Sequence, residues 1–340
     1  MEYKLKTLDC VNALIKDLYI DLRTKVNYWA SLTGQTSQAR MGYIGQHLVS
    51  AVTGYKGSKS GARGKDLIID DDNYAEIKTC SKVDQLGCCH KCGFPISSFE
   101  SKCPSCGSTE IDRKDDSKWL ISIKSEYPEP NTPDSEGFLI NINKPRFYYF
   151  VLFEYEDISK TDSSIVITIY QVDPKAYGFS LCMLDYFYNI RSNAPFNMWP
   201  HMLKFSLCNP SIIYQSKVSI DGSIQTIHFC PDEPYYEPLV KLSYFGRAQN
   251  LRDAKVLKDI ARQYDMPYDE NLSYESIIAL IDDYLSISKE TRENNLEKMS
   301  KGFYEEPILN AKKKLEKEGK DFPKEIRKYV EYCLKDQDDE

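Results

Sequence analysis

The sequence predicts an α/β chain: two N-terminal helices, a set of strands interrupted by a small metal-binding insertion, and a helical C-terminal region. Three observations lead there. Apolar residues recur at three- and four-residue intervals up to about Thr53, then alternate in short runs from about Asp66. Four cysteines in two Cys-x2-Cys pairs break the strand pattern between Cys89 and Cys106. From about Gly246 the helical period returns.

The first helix is expected over residues 8 to about 33, with Val11, Leu14, Ile15, Leu18, Leu22, Val26 and Trp29 on one face. A second should run from about Gln38 to Thr53, with Met41, Ile44, Leu48 and Val52 inward. Strands are expected at 66–70, 74–79, 119–125, 147–155 and 165–172. Phe147 to Tyr155 is an almost continuous apolar run, so it should be a central strand covered on both faces. Residues 173 to 240 show no clear period, and Asn193 to Pro200 reads as an irregular aromatic loop. Helices follow at 251–264, 273–287, 309–318 and 324–334. The stretch from Tyr127 to Gly137, rich in proline and acid, reads as a loop.

A net charge of −7 argues against a generally basic nucleic-acid binder, but net charge does not locate patches. Eleven cysteines would suggest disulfides in a secreted chain. The opening Met1-Glu2-Tyr3-Lys4-Leu5-Lys6 has no apolar h-region, and no apolar run is long enough for a bilayer. The expectation is therefore a reduced, cytoplasmic protein with a bound metal and no membrane association.

Asp66, Glu76 and Lys78 carry the first chemical signal. The run Gly64-Lys65-Asp66-Leu67-Ile68-Ile69, a polar turn, and Tyr74-Ala75-Glu76-Ile77-Lys78-Thr79 reads as a hairpin. Alternation puts Glu76 and Lys78 on one face and Ile77 on the other, and Asp66 on the adjoining strand would complete a cluster. Two carboxylates and an ammonium are what metal-assisted phosphodiester hydrolysis requires: hard oxygen ligands for Mg²⁺ and a cation beside the attacking water. Asp66 and Glu76, with the Ile77 backbone carbonyl, are the expected Mg²⁺ ligands, and Lys78 is expected to orient the water and stabilise developing charge. A lone Glu-x-Lys is more often an exposed ion pair; the paired aspartate and the basic loop before it favour the site.

Cys89, Cys92, Cys103 and Cys106 have the spacing of two knuckles closing on one structural Zn²⁺, with Gly93 and Gly107 at the tight turns. Buried free thiols are the expectation for Cys10, Cys80, Cys182, Cys208, Cys230 and Cys333. The loop Gly54 to Lys65 carries Lys56, Ser58, Lys59, Ser60, Arg63 and Lys65 as candidate DNA-phosphate contacts, with glycines that permit close backbone approach. Arg113, Lys114 and Lys118 extend the basic surface. Base contacts have two candidate regions, Arg191, Asn193 and Asn197, and Arg247, Gln249, Asn250 and Arg252, for each of which plain exposed polarity is the commoner reading. Lys312, Lys313, Lys314 and Lys317 read as a solvated helix face.

The order Asp, about ten residues, Glu-x-Lys resembles the PD-(D/E)xK nucleases, with Lys65 where the proline often stands. Met41-Gly42-Tyr43-Ile44-Gly45, the loop Gly57 to Asp66, Glu76-Ile77-Lys78 with a cysteine ribbon after it, and Arg113 to Trp119 together resemble type II restriction endonucleases, specifically a MamI-like group, over about residues 35 to 125. The resemblance implies an α/β PD-(D/E)xK restriction-endonuclease-like core, a mixed sheet flanked by helices, at 1–175. A zinc-ribbon insertion at 87–112 would sit within it, followed by a mixed region at 176–245 with possible DNA-recognition elements and a helical region at 246–340. It implies a helix residue at the metal site, for which Gln46 is the candidate where glutamate is usual. His47 reads as a structural helix histidine. It further implies a bacterial protein, sequence-specific, Mg²⁺-dependent cleavage of double-stranded DNA, a homodimer built on two-fold symmetry, with the C-terminal helices as candidate interface, and a cognate DNA methyltransferase. A repair or methylation-dependent DNA nuclease, or a non-catalytic zinc-dependent DNA-binding protein, is the alternative.

Overall fold

The computed structural model describes residues 3–35, 39–58, 65–83, 86–97, 102–103, 105–112, 118–122, 142–156, 163–190, 195–198, 202–219, 221–233, 258, 276, 280, 283 and 289–335. The chain divides into two compact units. The first comprises Met1–Trp119, Tyr149–Gln171 and Ile212–Tyr235; the second comprises Leu120–Tyr148, Val172–Ser211 and Tyr236–Glu340.

The first unit opens with α1 (Leu8–Leu14), wide π turns at Ile15–Asp21, and α2 (Leu22–Thr33), which together fill the expected 8–33 span. Thr7 caps α1 by accepting a hydrogen bond from the Cys10 N–H at 3.3 Å. Val11 of α1 and Ile15 and Tyr19 of the π turns are buried, and the Tyr19 ring meets Phe153 of the sheet at 5.0 Å. Helix α3 (Met41–Thr53) buries Ile44, Leu48, Val49 and Val52, and ends at Gly54, whose left-handed φ of 81° lets its N–H reach the Ser50 carbonyl.

A six-stranded mixed sheet forms the frame. Its strands are β1 (Leu67–Ile68), β2 (Tyr74–Ser81), β7 (Phe147–Tyr155), β8 (Ile165–Val172), β10 (Ser211–Val218) and β11 (Ile224–Phe229), adjacent in that order. β1 and β2 are antiparallel, as are β10 and β11. The Lys82 N–H donates to the Phe153 carbonyl at 2.8 Å, so the C-terminal ends of β2 and β7 coincide and those two strands run parallel. β7 has sheet neighbours on both sides and buries Tyr148 through Phe153, as its apolar run predicts. Trp119 is fully buried, donates from Nε1 to the Val151 carbonyl at 3.0 Å, and packs on Phe150 and Tyr170.

Between β2 and β7 lies a separate three-stranded sheet of β3 (Leu86–Cys89), β4 (Pro95–Ser97) and β5 (Ile111–Asp112), in the order β4-β3-β5. The strand expected at 119–125 is confined to β6 (Leu120–Ile121) among the described residues, and it pairs with β9 (Phe196–Asn197) outside the large sheet.

In the second unit, α4 (Tyr177–Asp185) is buried along its whole length and continues into π turns at Tyr186–Ile190. It packs with α5 (Met202–Leu207), α6 (Lys289–Lys317) and α7 (Arg327–Leu334). Helix α6 is longer than the 309–318 segment the sequence suggests. Met299, Phe303, Tyr304 and Ile308 form its buried stripe, and Pro307 is accommodated inside it, with the Asn189 side-chain amide donating to the Pro307 carbonyl. The mixed stretch 173–240 contains β10 and β11, which sequence reading left unassigned. Helices expected at 251–264 and 273–287 lie outside the described residues except at 258, 276, 280 and 283, which are helical. No helix among the described residues is long and apolar enough to cross a membrane.

Helix α3 packs tightly on β2 at Gly45. A Cβ added to Gly45 would fall 2.8 Å from Thr79 Cγ2 and 2.9 Å from Thr79 Cβ, so the helix lies against the strand as only glycine permits. Gly45→Ala should cost about 1–3 kcal/mol in urea or thermal unfolding, the usual penalty for overpacking, and Thr79→Ala in that background should recover part of it. An unchanged midpoint in the single variant would contradict this packing.

Candidate metal and phosphodiester site

The sheet edge at β1 and β2 brings the sequence-predicted acidic residues together. Leu67 pairs with Ala75 and Ile68 with Tyr74, and one further step in the same register sets Asp66 opposite Glu76. Leu67, Ala75 and Ile77 are buried on the face toward α3, while Ile68, Tyr74, Glu76 and Lys78 are only half-buried on the other.

Asp66 is held at both oxygens. Gln46 of α3 donates from Nε2 to Oδ1 at 2.7 Å, and the Ile77 N–H donates to Oδ2 at 2.8 Å. In an extended strand a residue's N–H and C=O point to the same side, so the Ile77 carbonyl faces the edge that Asp66 occupies. Lys78 Nζ lies 2.9 Å from Glu76 Oε2, and both side chains are about three-quarters buried, with relative exposures of 23% and 26%. Burial raises the Glu76 pKa above the ordinary carboxylate range; the Lys78 ammonium opposes that rise and the Asp66 carboxylate adds to it. Burial, with the Glu76 charge, also pushes the Tyr74 hydroxyl up to about 12.

These residues could hold a divalent cation. Two carboxylates in hydrogen-bond reach of each other, one of them pressed toward its protonated form, mark a position where a cation would replace a proton. Gln46 supplies a neutral amide where a third carboxylate would add charge, so the cluster holds two acidic groups and one ammonium. His47 is exposed on α3 and makes no hydrogen bond or ion pair in the described contacts.

Of the loop residues, Lys56, Ser58 and Lys65 are described; Lys59, Ser60 and Arg63 lie outside the described residues, as do Arg113 and Lys114. Lys56 and Lys65 are both exposed at the neck of the loop, and the Ile68 N–H bonds to the Lys56 carbonyl at 2.9 Å. Among the proposed base-reading residues, Asn197 is in β9, whereas Arg191, Asn193, Arg247, Gln249, Asn250 and Arg252 lie outside the described residues. Lys312, Lys313, Lys314 and Lys317 are exposed on α6, and Lys314 Nζ reaches the Tyr188 carbonyl.

The second cluster is sulfur. Cys89, Cys92, Cys103 and Cys106 place their thiols within 4.8 Å of one another, with Cys89–Cys106 at 3.5 Å and Cys92–Cys103 at 3.6 Å. None of the eleven cysteines forms a disulfide. A tetrahedral ion with bonds of about 2.3 Å to sulfur requires sulfur separations of about 3.8 Å, so this cage could bind a metal such as zinc. The two knuckles have the same backbone. The N–H of Gly93 bonds to Cys89 O and that of Gly107 to Cys103 O, each at 2.8 Å, and both glycines have φ of 70°. Although burial raises the Cys89 pKa, the N–H groups of Cys92 and Lys91 and the neighbouring thiols bring it down to about 6. Cys106 goes the other way: the Ser108 N–H lowers it, but burial and the other three thiols push it up to about 12. Four sulfurs thus compete for protons that one cation would displace.

Comparison with known proteins points to one family. No solved structure matches the chain. The type II restriction enzyme MamI of Microbacterium ammoniaphilum is 34% identical over 74 residues, covering 21% of this chain and 23% of that relative. The chain therefore spans under a quarter of the curated relative's length in this match. The sequence profile described as MamI restriction endonuclease matches residues 28–240, which include the acid cluster, the ribbon and all six strands of the large sheet. The chain belongs to the MamI restriction endonuclease family.

Proposed function

We propose that this chain is a type II restriction endonuclease that hydrolyses phosphodiester bonds of double-stranded DNA at a specific sequence, using Mg²⁺ held on a PD-(D/E)xK core. The supporting observation is the convergence of Asp66, Glu76 and Lys78 at one sheet edge, with Gln46 and the Ile77 N–H fixing Asp66. Family membership makes DNA the substrate class. On this reading residues 1–175 supply the catalytic part of the nuclease core around the ribbon at 87–112, 176–245 adds β10 and β11 to the same sheet along with candidate recognition elements, and 246–340 would be the helical region.

Asp66, Glu76 and the Ile77 carbonyl would hold Mg²⁺, and Gln46 keeps Asp66 in place for it. When bound, that ion neutralises charge on the phosphate and makes a coordinated water more acidic. Lys78, oriented by Glu76, sets the attacking water in line and faces the charge that grows on the phosphoryl oxygens. The water oxygen bonds to phosphorus as the bond to the leaving sugar oxygen breaks. Two such sites on a two-fold homodimer would cut both strands of a palindrome, and a cognate DNA methyltransferase would protect the host.

The four thiolates would hold Zn²⁺ in a closed, structural site with no open position for substrate. Among the described residues of the ribbon, the buried core is Cys89 and Cys103 with Ile111 against them, and the bound ion would add to the stability of so small a core.

Incubation with plasmid and Mg²⁺ should give discrete linear fragments on a gel, cut on both strands. Asp66→Ala and Lys78→Ala should slow cutting at least about a hundredfold with unchanged circular dichroism. Nicked circles or a smear would point to a less specific nuclease, and binding without cutting to a DNA-binding protein.

Elemental analysis should find one zinc per chain, lost in Cys103→Ser with selective loss of amide protection at residues 86–112. A metal-free ribbon with full protection would refute the zinc assignment.

A carboxyl group whose folded pKa is raised contributes stability at low pH and loses it as pH climbs through the folded value. The metal-free chain should therefore lose stability as pH rises through the elevated Glu76 pKa, and Mg²⁺ affinity should rise over that window as the ion displaces the proton. Calorimetric titration across pH should show both trends, and Glu76→Gln should flatten them.

A further inference from the structure

Beside the acid cluster, three residues form a row that the chemistry above does not use. Lys56 bridges to Ile68, and Ile68 pairs with Tyr74 of β2. Residues directly paired across a ladder share a face, so Lys56, Ile68 and Tyr74 line one face of the sheet edge. Alternation along β2 places Glu76 and Lys78 on that face as well. Neighbouring strands are about 4.8 Å apart, so Lys56 stands about 10 Å from Tyr74 across the edge.

The loop between the two lysines is closed at its neck. The Ile68 N–H bonds to the Lys56 carbonyl, and a Cβ on Gly57 would meet the Asp66 carbonyl at 3.2 Å. Both cations are thereby tied to the backbone that carries Asp66. Lys65 is further ordered by its side chain: its ammonium lies 4.7 Å from the centroid of the half-buried Tyr74 ring. A lysine is a flexible point charge, and an aromatic seat restricts where that charge can stand.

We propose that this side of the sheet edge is a phosphate track: Tyr74 positions Lys65, and Lys65 and Lys56 grip backbone phosphates to one side of the one to be cut. The inference rests on the nuclease reading and adds to it a positioning residue, Tyr74, and a direction in which the cleaved strand leaves the site. The grip is independent of base sequence, because both contacts are to phosphate and are driven by counterion release.

The test uses the full-length chain with duplex DNA of arbitrary sequence and Ca²⁺ in place of Mg²⁺, with affinity followed against salt. Lys65→Met and Lys56→Met should each reduce the slope of log affinity on log salt by about 0.9. Tyr74→Leu should weaken binding several-fold in the wild-type background and hardly at all in Lys65→Met, while Tyr74→Phe, which keeps the ring, should bind as wild type. Unchanged slopes in the lysine variants, or equal losses for Tyr74→Phe and Tyr74→Leu, would overturn the track. If Tyr74→Leu fails to fold, the two exposed lysine variants and Tyr74→Phe still decide. Should the slopes shift as stated while wild-type protein leaves plasmid uncut in Mg²⁺, the track stands and the nuclease reading falls.

Discussion

The two hydrogen bonds that clamp the Asp66 carboxylate are the constraint on which the rest of the site depends. One comes from a helix, through the Gln46 amide, and the other from the backbone of the next strand, through the Ile77 N–H. Together they hold a negative group opposite Glu76, a position that like-charge repulsion would otherwise empty. The clamp works only if α3 lies close enough for Gln46 to reach. Gly45, the residue before it, allows that by letting the helix touch Thr79. Helix packing, strand register and acid placement are therefore one arrangement.

What the chain gains is a site that is poised rather than stable. Glu76 is about three-quarters buried, its pKa is raised, and only Lys78 relieves it. Such tension is characteristic of functional carboxylates, since structural ones are usually stabilised in their charged form. Downstream, β2 is fixed by the Lys82 N–H to Phe153 bond and by the Lys82–Glu154 ion pair, and the cysteine ribbon starts a few residues later. The strand that carries Glu76 and Lys78 thus runs between a helix on one face and firm attachments at its end. Among its described residues the ribbon has a small apolar core, so a metal held by the four cysteines would add to its stability.

Much of this was legible in the chain because the relevant periods are short. Alternation at Glu76 and Lys78, the spacing back to Asp66, and the Cys-x2-Cys pairs are local patterns, and the structure brings each group together. The central strand 147–155 was equally plain, since nine consecutive residues with seven buried leave little else to be. Less was visible where tertiary contacts decide. Trp119 looks like the first residue of a strand, but its indole is taken up by Phe150 and the Val151 carbonyl. β10 and β11 escaped notice because β11 carries Gln225, Thr226 and His228 on an edge strand whose apolar signal is weak, and a register shift at Gln215/Ser216 breaks the alternation of β10. The amide donation from Gln46 to Asp66 and the seat of Lys65 on Tyr74 are three-dimensional facts with no sequence period at all.

Diffraction from crystals soaked in Ca²⁺, with anomalous maps, tests the central claim most directly. An ion is expected between Asp66 and Glu76 at about 2.3–2.6 Å from oxygens of both, and from the Ile77 carbonyl. A map with zinc in the four-cysteine cage and no ion between the two carboxylates, or with Glu76 turned away from Asp66, would contradict it.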